Sequence, residues 1–230
     1  MTLSAHCPQV VFVHHPKTGG MSLHAAMERA LGAARVLRVG DEATHADFLA
    51  LDREAFARFG FVSGHFTLTE ALERAAPGAR FVTLLRDPVA RLVSAFNYMA
   101  SWTEHPHHLQ FRDMGFAEFV AGSGEGLAGQ ACWQLTGVGT ASAAIPLLES
   151  CYAAVATPAR LAELSRLVAA WLGLAEPELT RENTTQGQGR ITLDSATCEQ
   201  LLAVTREDLL LHAHVADTHG GLMVAPGMRL

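Results

Sequence analysis

The sequence predicts an α/β fold, a mostly parallel central sheet flanked by helices on both faces, and three observations carry that prediction. Short apolar runs alternate with stretches of helical periodicity along the chain. Two of those runs pass directly into turns, one marked by paired glycines and one by proline, that open helices. The length of 230 residues, 49% hydrophobic and 17% charged, suits a single domain spanning 1–230 with a sizeable core.

Candidate strands cover 10–14, 59–63, 81–85 and 153–157, and candidate helices cover 22–31, 45–58, 68–75, 88–100, 158–172 and 195–213. The first strand holds Val10, Val11, Phe12 and Val13 in succession, a run suited to burial on both faces. Leu23, Ala26, Met27, Ala30 and Leu31 then recur at helical spacing until Gly32 ends the run. The second strand leads through Gly64 to His65. The third, Phe81 to Leu85, runs into Arg86, after which Asp87 serves as a helix N-cap with Pro88 at the first helical position. Val89, Leu92, Val93 and Phe96 form that helix's apolar stripe. Thr157 and Pro158 open a further helix whose Leu161, Leu164, Val168, Trp171 and Leu172 face a core before Gly173 closes it. Strands separated by helices imply parallel pairing, and ligands of such sheets collect outside the carboxyl ends of the strands. Lys17, His65 and Arg86 all follow candidate strands at that end and are expected to form one composite site.

The first turn reads as an anion holder. Gly19 and Gly20 let the backbone approach a ligand closely, so that N–H groups converge at the positive end of the helix beginning near Ser22, and Lys17 adds a mobile full charge. A Walker A loop ends in Gly-Lys-Ser/Thr, whereas here the lysine precedes the glycine pair, which disfavours an ordinary ATPase loop. In the second element, Arg91 and Ser94 share a helix face with Asp87, so a guanidinium and a hydroxyl can approach an anion beside the helix start.

Together, Pro16-Lys17-Thr18-Gly19-Gly20-Met21-Ser22 and Arg86 to Ser94 resemble the sulfotransferase superfamily, specifically the branch that includes carbohydrate sulfotransferases such as the heparan sulfate 2-O-sulfotransferases. The resemblance implies a P-loop-like sulfotransferase fold and use of 3′-phosphoadenosine 5′-phosphosulfate (PAPS), with 3′-phosphoadenosine 5′-phosphate (PAP) as product. By that likeness, Pro16 through Ser22 grip the 5′-phosphosulfate, and Arg86 with Ser94, eight positions later, holds the 3′-phosphate. Weaker similarities run through Gln130 to Leu135, Glu182 to Thr185 and Arg206 to Leu210, while residues 100–128 match least. Family members commonly carry Thr or Ser where this chain has Met21, and a thioether donates no hydrogen bond. The 2-O branch places a catalytic histidine in a similar Gly-His segment, which makes His65 the candidate base, with His14 and His15 as competitors. A neutral imidazole taking the proton of an attacking hydroxyl contributes ~10²–10⁴-fold. Lys17 is the second candidate catalytic residue, placed to offset charge on a departing phosphate oxygen.

Composition narrows the partners. A net charge of −6 argues against nucleic acid and is unhelpful for gripping a long polyanion, so a small or neutral hydroxyl-bearing acceptor, possibly a carbohydrate, is expected. Trp102, Phe111 and Trp133 could stack on such an acceptor, with a core position the favoured reading for Trp133. The amino terminus offers too short an apolar run for a signal peptide or a membrane span, so a cytoplasmic location is expected. Cys7, Cys132, Cys151 and Cys198 are scattered and read as buried thiols, and His105-Pro106-His107-His108 reads as a solvated tract, so no metal site is expected. Two other functions compete: an ATP-dependent small-molecule kinase, and a non-catalytic nucleotide-binding protein.

Overall fold

A computed structural model describes residues 9–180, 191 and 194–228. Six strands form one sheet: β1 (Val10–Val13), β2 (Val36–Val39), β3 (Phe61–Gly64), β4 (Arg80–Leu84), β5 (Tyr152–Ala156) and β6 (Leu222–Val224), in the spatial order β2-β3-β1-β4-β5-β6. All neighbours pair in parallel except β5 and β6. β1 sits between β3 and β4, with Val13 opposite Gly64 and Phe12 opposite Val82. The chain leaves β1 toward one side of the sheet and leaves β4 toward the other. Their carboxyl ends therefore flank a topological switch point, where open α/β sheets form a crevice.

The helices are α1 (Met21–Leu31), α2 (Glu42–Ala50), α3 (Arg53–Phe56), α4 (Leu68–Arg74), α5 (Pro88–Ser101), α6 (His108–Phe111), α7 (Phe116–Leu127), α8 (Gln130–Thr136), α9 (Ala141–Cys151), α10 (Leu161–Trp171) and α11 (Ser195–Ala213). None is long and apolar enough to cross a membrane. Strand side chains alternate between two cores, as the pleat requires. Val11, Val13, Val62 and Val155 pack with α4, α8 and α9 on one face, while Val10, Phe12, Val82, Leu84 and Ala154 pack with α1 and α10 on the other. All four residues of β1 are fully buried, which explains the unbroken apolar run. A third cluster joins Leu92 and Phe96 of α5 to Phe111, Phe116, Phe119 and Leu201.

The expected strands shift by one or two residues, and β2 and β6 are additional. Both are short edge strands, β2 interrupted by exposed Arg38, so neither shows the apolar run of a central strand. The helix expected over 45–58 is two helices. Asp41 and Asp52 each accept the backbone N–H three residues on, from Thr44 and Ala55, and each cap starts its own helix. The helix expected over 158–172 opens as a 3₁₀ turn, Pro158–Arg160, before α10. Residues 101–128, given no element from sequence, build the whole of α6 and α7, which pack on α5. Helix α9 carries Pro146 in its interior, the residue type that most strongly argues against a helix. The Glu182 to Thr185 similarity lies outside the described residues.

Candidate functional site

The turn after β1 is strained where a ligand would sit. Lys17 is the one described non-glycine residue with positive φ, at 67°, and Gly19 follows at 88°. Thr18 is buried and its hydroxyl donates to the His15 carbonyl at 2.8 Å, so its side chain shapes the turn. Gly20 has no room for a side chain. A Cβ there would lie 2.5 Å from Phe12 Cζ and 2.6 Å from His14 Nε2. That close seat brings the start of α1 onto the sheet, and Gly20 supplies no capping side chain to the helix. The first N–H groups of an α-helix have no intrahelical acceptor, so this end favours an anion.

Arg86, leaving β4, reaches the same turn: its Nη1 donates to the Lys17 carbonyl at 3.1 Å. Among the described residues neither Lys17 nor Arg86 forms an ion pair. The Lys17 ammonium instead lies 3.7 Å from the centre of the Tyr98 ring, one face of α5 over. Burial, and then Arg86, lower the Lys17 pKa from its ordinary 10.5, as expected of cations gathered without a counter-charge. Asp87 is occupied as the α5 cap, accepting the Ala90 N–H at 2.7 Å. Ser94, half-buried, lies on the same helix as Arg91 and Tyr98. Pro16 is half-buried and Ser22 buried. Met21 turns its sulfur to Arg38 of β2, whose Nη2 donates at 3.6 Å. The position that carries a hydroxyl in the resembled family thus recruits a guanidinium to the turn.

His65 follows β3, and its exposed ring stands 5.0 Å, centre to centre, from that of buried His14. Desolvation and the charge of Arg38 lower its pKa below 6.5, leaving the imidazole neutral near pH 7. His14, stacked on Phe12 and shut beneath Gly20, is held well below the usual range by burial and by His65. His15 is pushed down to about 3 by burial and by Arg91. Its Nδ1 meets Gln134 Oε1 at 2.6 Å, while its buried Nε2 has no partner. The amide nitrogen of Gln134 donates to the carbonyls of His14 and Phe66, both at 3.2 Å. His14 and His15 are therefore built into the wall, and His65 is the one of the three open to solvent.

Helix α8, which carries Gln134, is itself fixed by buried Asp208 of α11, whose carboxylate accepts the N–H groups of Ala131 and Cys132. Asp208 also offsets the buried Arg91 guanidinium, whose Nη2 donates to Gln130 Oε1 at 2.6 Å. Sequence reasoning missed Arg38, Tyr98, Gln134 and Asp208. Tyr98 had a signal, since it lies four residues beyond Ser94 and seven beyond Arg91 on one helix face. Beside α5 lies a cavity of about 350 Å³, lined by Arg91, Leu92, Met99, His107, Phe111 and Gln130 among others.

The aromatic expectations need correction. Trp133, expected in the core, is 58% exposed because it lies on the outer side of α8, opposite buried Cys132 and Leu135. Phe111, expected to stack on an acceptor, is only 8% exposed and belongs to the third core cluster. Trp102 is exposed and stands against Tyr98 and His105 at 5.2 and 5.6 Å. The histidine tract is exposed to half-buried, as expected of a solvated stretch, with His105 and His107 against aromatic rings. Cys132 is buried, its thiol pushed up by burial and Asp208, whereas Cys151 and Cys198 are half-buried.

No protein-family model matches this chain, and no curated protein matches it in sequence. Among solved structures, a sulfotransferase from Alicyclobacillus acidocaldarius is similar over 90% of this chain and 95% of that one, at 16% identity and a TM-score of 0.51. Mouse sulfotransferase SULT7A1, in a structure complexed with PAP, aligns over 89% of this chain and 65% of that one, at 12% identity and a TM-score of 0.45. The α/β sheet of this chain, with its helices on both faces, is the sulfotransferase fold.

Proposed function

We propose that this protein is a sulfotransferase of the PAPS-dependent superfamily, moving the sulfuryl group of PAPS to a hydroxyl of a carbohydrate or small-molecule acceptor and releasing PAP. The observation that carries the reading is the junction of the turn after β1 with the corner after β4, where Arg86 reaches the Lys17 carbonyl and two cations meet without a carboxylate partner among the described residues. A donor with anionic groups at both ends of an adenosine suits that junction. Lys17 and the α1 amides would hold the 5′-phosphosulfate, with Pro16, Thr18, Gly19, Gly20, Met21 and Ser22 forming the turn around it. Arg86 and Ser94 would hold the 3′-phosphate.

PAPS supplies an activated sulfuryl group. In-line attack forms the bond between acceptor oxygen and sulfur while the bond from sulfur to the 5′-phosphate oxygen breaks. His65 takes the acceptor's proton, and Lys17 offsets the charge left on the departing phosphate. This chemistry calls for no metal. The acceptor's place is suggested by a run of rings that starts at Lys17. Tyr98 lies under its ammonium, His105 stands against Tyr98, His107 against His105, and Phe111, at the cavity wall, against His107. A cavity of about 350 Å³ suits a sugar ring or similar molecule better than a polymer, in a cytoplasmic protein of net charge −6.

The order of lysine and glycines in the turn does not favour a kinase. Calorimetric titration with PAP and with ATP plus magnesium tests the binding half. PAP should bind, and Arg86→Ala should weaken it; a protein that ignores PAP ends the proposal. Transfer of labelled sulfate from PAPS across a panel of carbohydrate and small hydroxyl acceptors tests the catalytic half. PAP binding without transfer to any of them would leave a non-catalytic nucleotide-binding protein.

A further inference from the structure

We propose that Glu149, His214 and His219 form a site for a transition-metal dication of zinc's class, bracing α9 against the segment that enters β6. Glu149 lies near the end of α9. His214 opens a π-helical turn, His214–Thr218, that continues α11, and His219 caps that turn just before Gly220 and Gly221. The π turn matters. Its wider coil, with i→i+5 bonding, brings residues five apart round to one side, whereas an α-helix would point them well away from each other.

The three donor atoms converge. His214 Nε2 lies 3.0 Å from Glu149 Oε1 and 3.3 Å from His219 Nε2, and all three atoms fall within 4.8 Å of one another. Two separate, linear hydrogen bonds cannot account for both contacts of His214 Nε2; a single proton there would have to be shared between two acceptors. If that nitrogen carries a proton for Glu149, it has no lone pair to accept from His219; if it keeps its lone pair, it offers Glu149 nothing. A cation among the three is satisfied by a lone pair from each.

The spacing agrees with a particular kind of cation. Zinc bonds of about 2.0–2.1 Å in tetrahedral geometry put ligand atoms about 3.4 Å apart, close to both observed separations. The rings stand 4.9 Å apart at 75°, an edge-on pairing that leaves their Nε2 atoms 3.3 Å apart. Two imidazoles and one carboxylate select zinc, copper or nickel over magnesium or calcium, which demand oxygen. Three protein donors leave a fourth position for water.

The turn bearing His219 is held independently of any ion. Gly221 N–H donates to the Val215 carbonyl at 3.0 Å, Thr157 N–H to the Gly221 carbonyl at 2.8 Å, and Arg160 Nη1 to the Gly220 carbonyl at 2.8 Å. A Cβ on Gly221 would come within 2.8 Å of Thr157 Oγ1, so this glycine seats the turn. The His219 end of the site is thus preorganised, and with His214 17% and Glu149 48% exposed at the side chain the donors are within reach of an ion from solvent.

The test uses the whole chain, stripped with chelator and then given zinc alone. One zinc per chain should survive equilibrium dialysis. Zinc at about a hundred times its Kd should raise Tm by roughly 5–10 °C. Glu149→Gln and His219→Ala should each abolish retention and the shift, while His107→Ala, in the other histidine tract, should keep both. Substituted cobalt should give a tetrahedral spectrum with no thiolate-to-metal band. Failure to retain zinc, retention by both site variants, loss in His107→Ala, or a thiolate band pointing to the cysteines would each overturn the assignment.

Discussion

Lowering the pH from 7 to 5 should cost the protein about 2 kcal/mol of stability through His15 alone. In the fold this ring donates from Nδ1 to Gln134 and keeps a bare, buried Nε2 within the field of Arg91, so its pKa falls from 6.5 to about 3. The unfolded chain has no such restraint and protonates near 6.5. A histidine depressed in the native state contributes stability that is complete above pH 6.5 and is lost as the pH falls toward 3. Urea unfolding midpoints at pH 7, 6 and 5 should show the loss. His15→Asn retains a donor for Gln134 but cannot titrate, so its stability should fall less over the same range. His14, depressed in the same direction, remains in both proteins and largely cancels from the comparison. Parallel declines in the two proteins would refute the reasoning.

Lys17→Ala should lose ~10²–10³ in turnover with an unchanged melting curve, and near wild-type turnover would remove Lys17 from the chemistry. The pH profile of kcat/KM should rise through a pKa below 6.5, because the base must be neutral and His65 titrates below its ordinary value; a rising limb above 7, or one unchanged in His65→Ala, would oppose His65 as the base. Gly20→Ala should destabilise by about 1–3 kcal/mol, since its methyl would meet Phe12 and His14, and an unchanged Tm would contradict the close seat of α1. Asp208→Ala leaves buried Arg91 without its counter-charge and α8 without its cap, so chemical denaturation should show a loss of about 3–5 kcal/mol. A loss under about 1 kcal/mol would show that the carboxylate is not needed there.

The turn after β1 was legible because central parallel strands impose a strict local pattern. Val10 to Val13 must all be apolar where both faces are covered, and the glycines must follow where the chain reverses tightly. The convergence of Lys17, His65 and Arg86 at one end of the sheet followed from parallel pairing alone. What escaped depends on tertiary partners. Edge strand β2 is short and broken by Arg38, and α9 is held by packing in spite of Pro146. Trp133 was misplaced because one apolar residue on a short amphipathic helix does not reveal which side faces in; its neighbours Cys132 and Leu135 took the core. Gln134 and Asp208 fall in segments marked only by a weak likeness, and their roles were not legible because each acts on groups far away in sequence.

Gln134 has a consequence for how the two halves of the candidate site can move. An unprotonated side-chain amide carries two N–H bonds, and here one goes to the exit of β1 and the other to the residue beside His65, while the oxygen fixes which tautomer His15 adopts. The turn after β1 and the strand exit that bears His65 are thereby geared to one helix, whose other end is gripped from α11. A disturbance at the carboxyl-terminal helix would reach both segments in step, so that under the proposed function nucleotide grip and proton transfer would shift together instead of either being detuned alone.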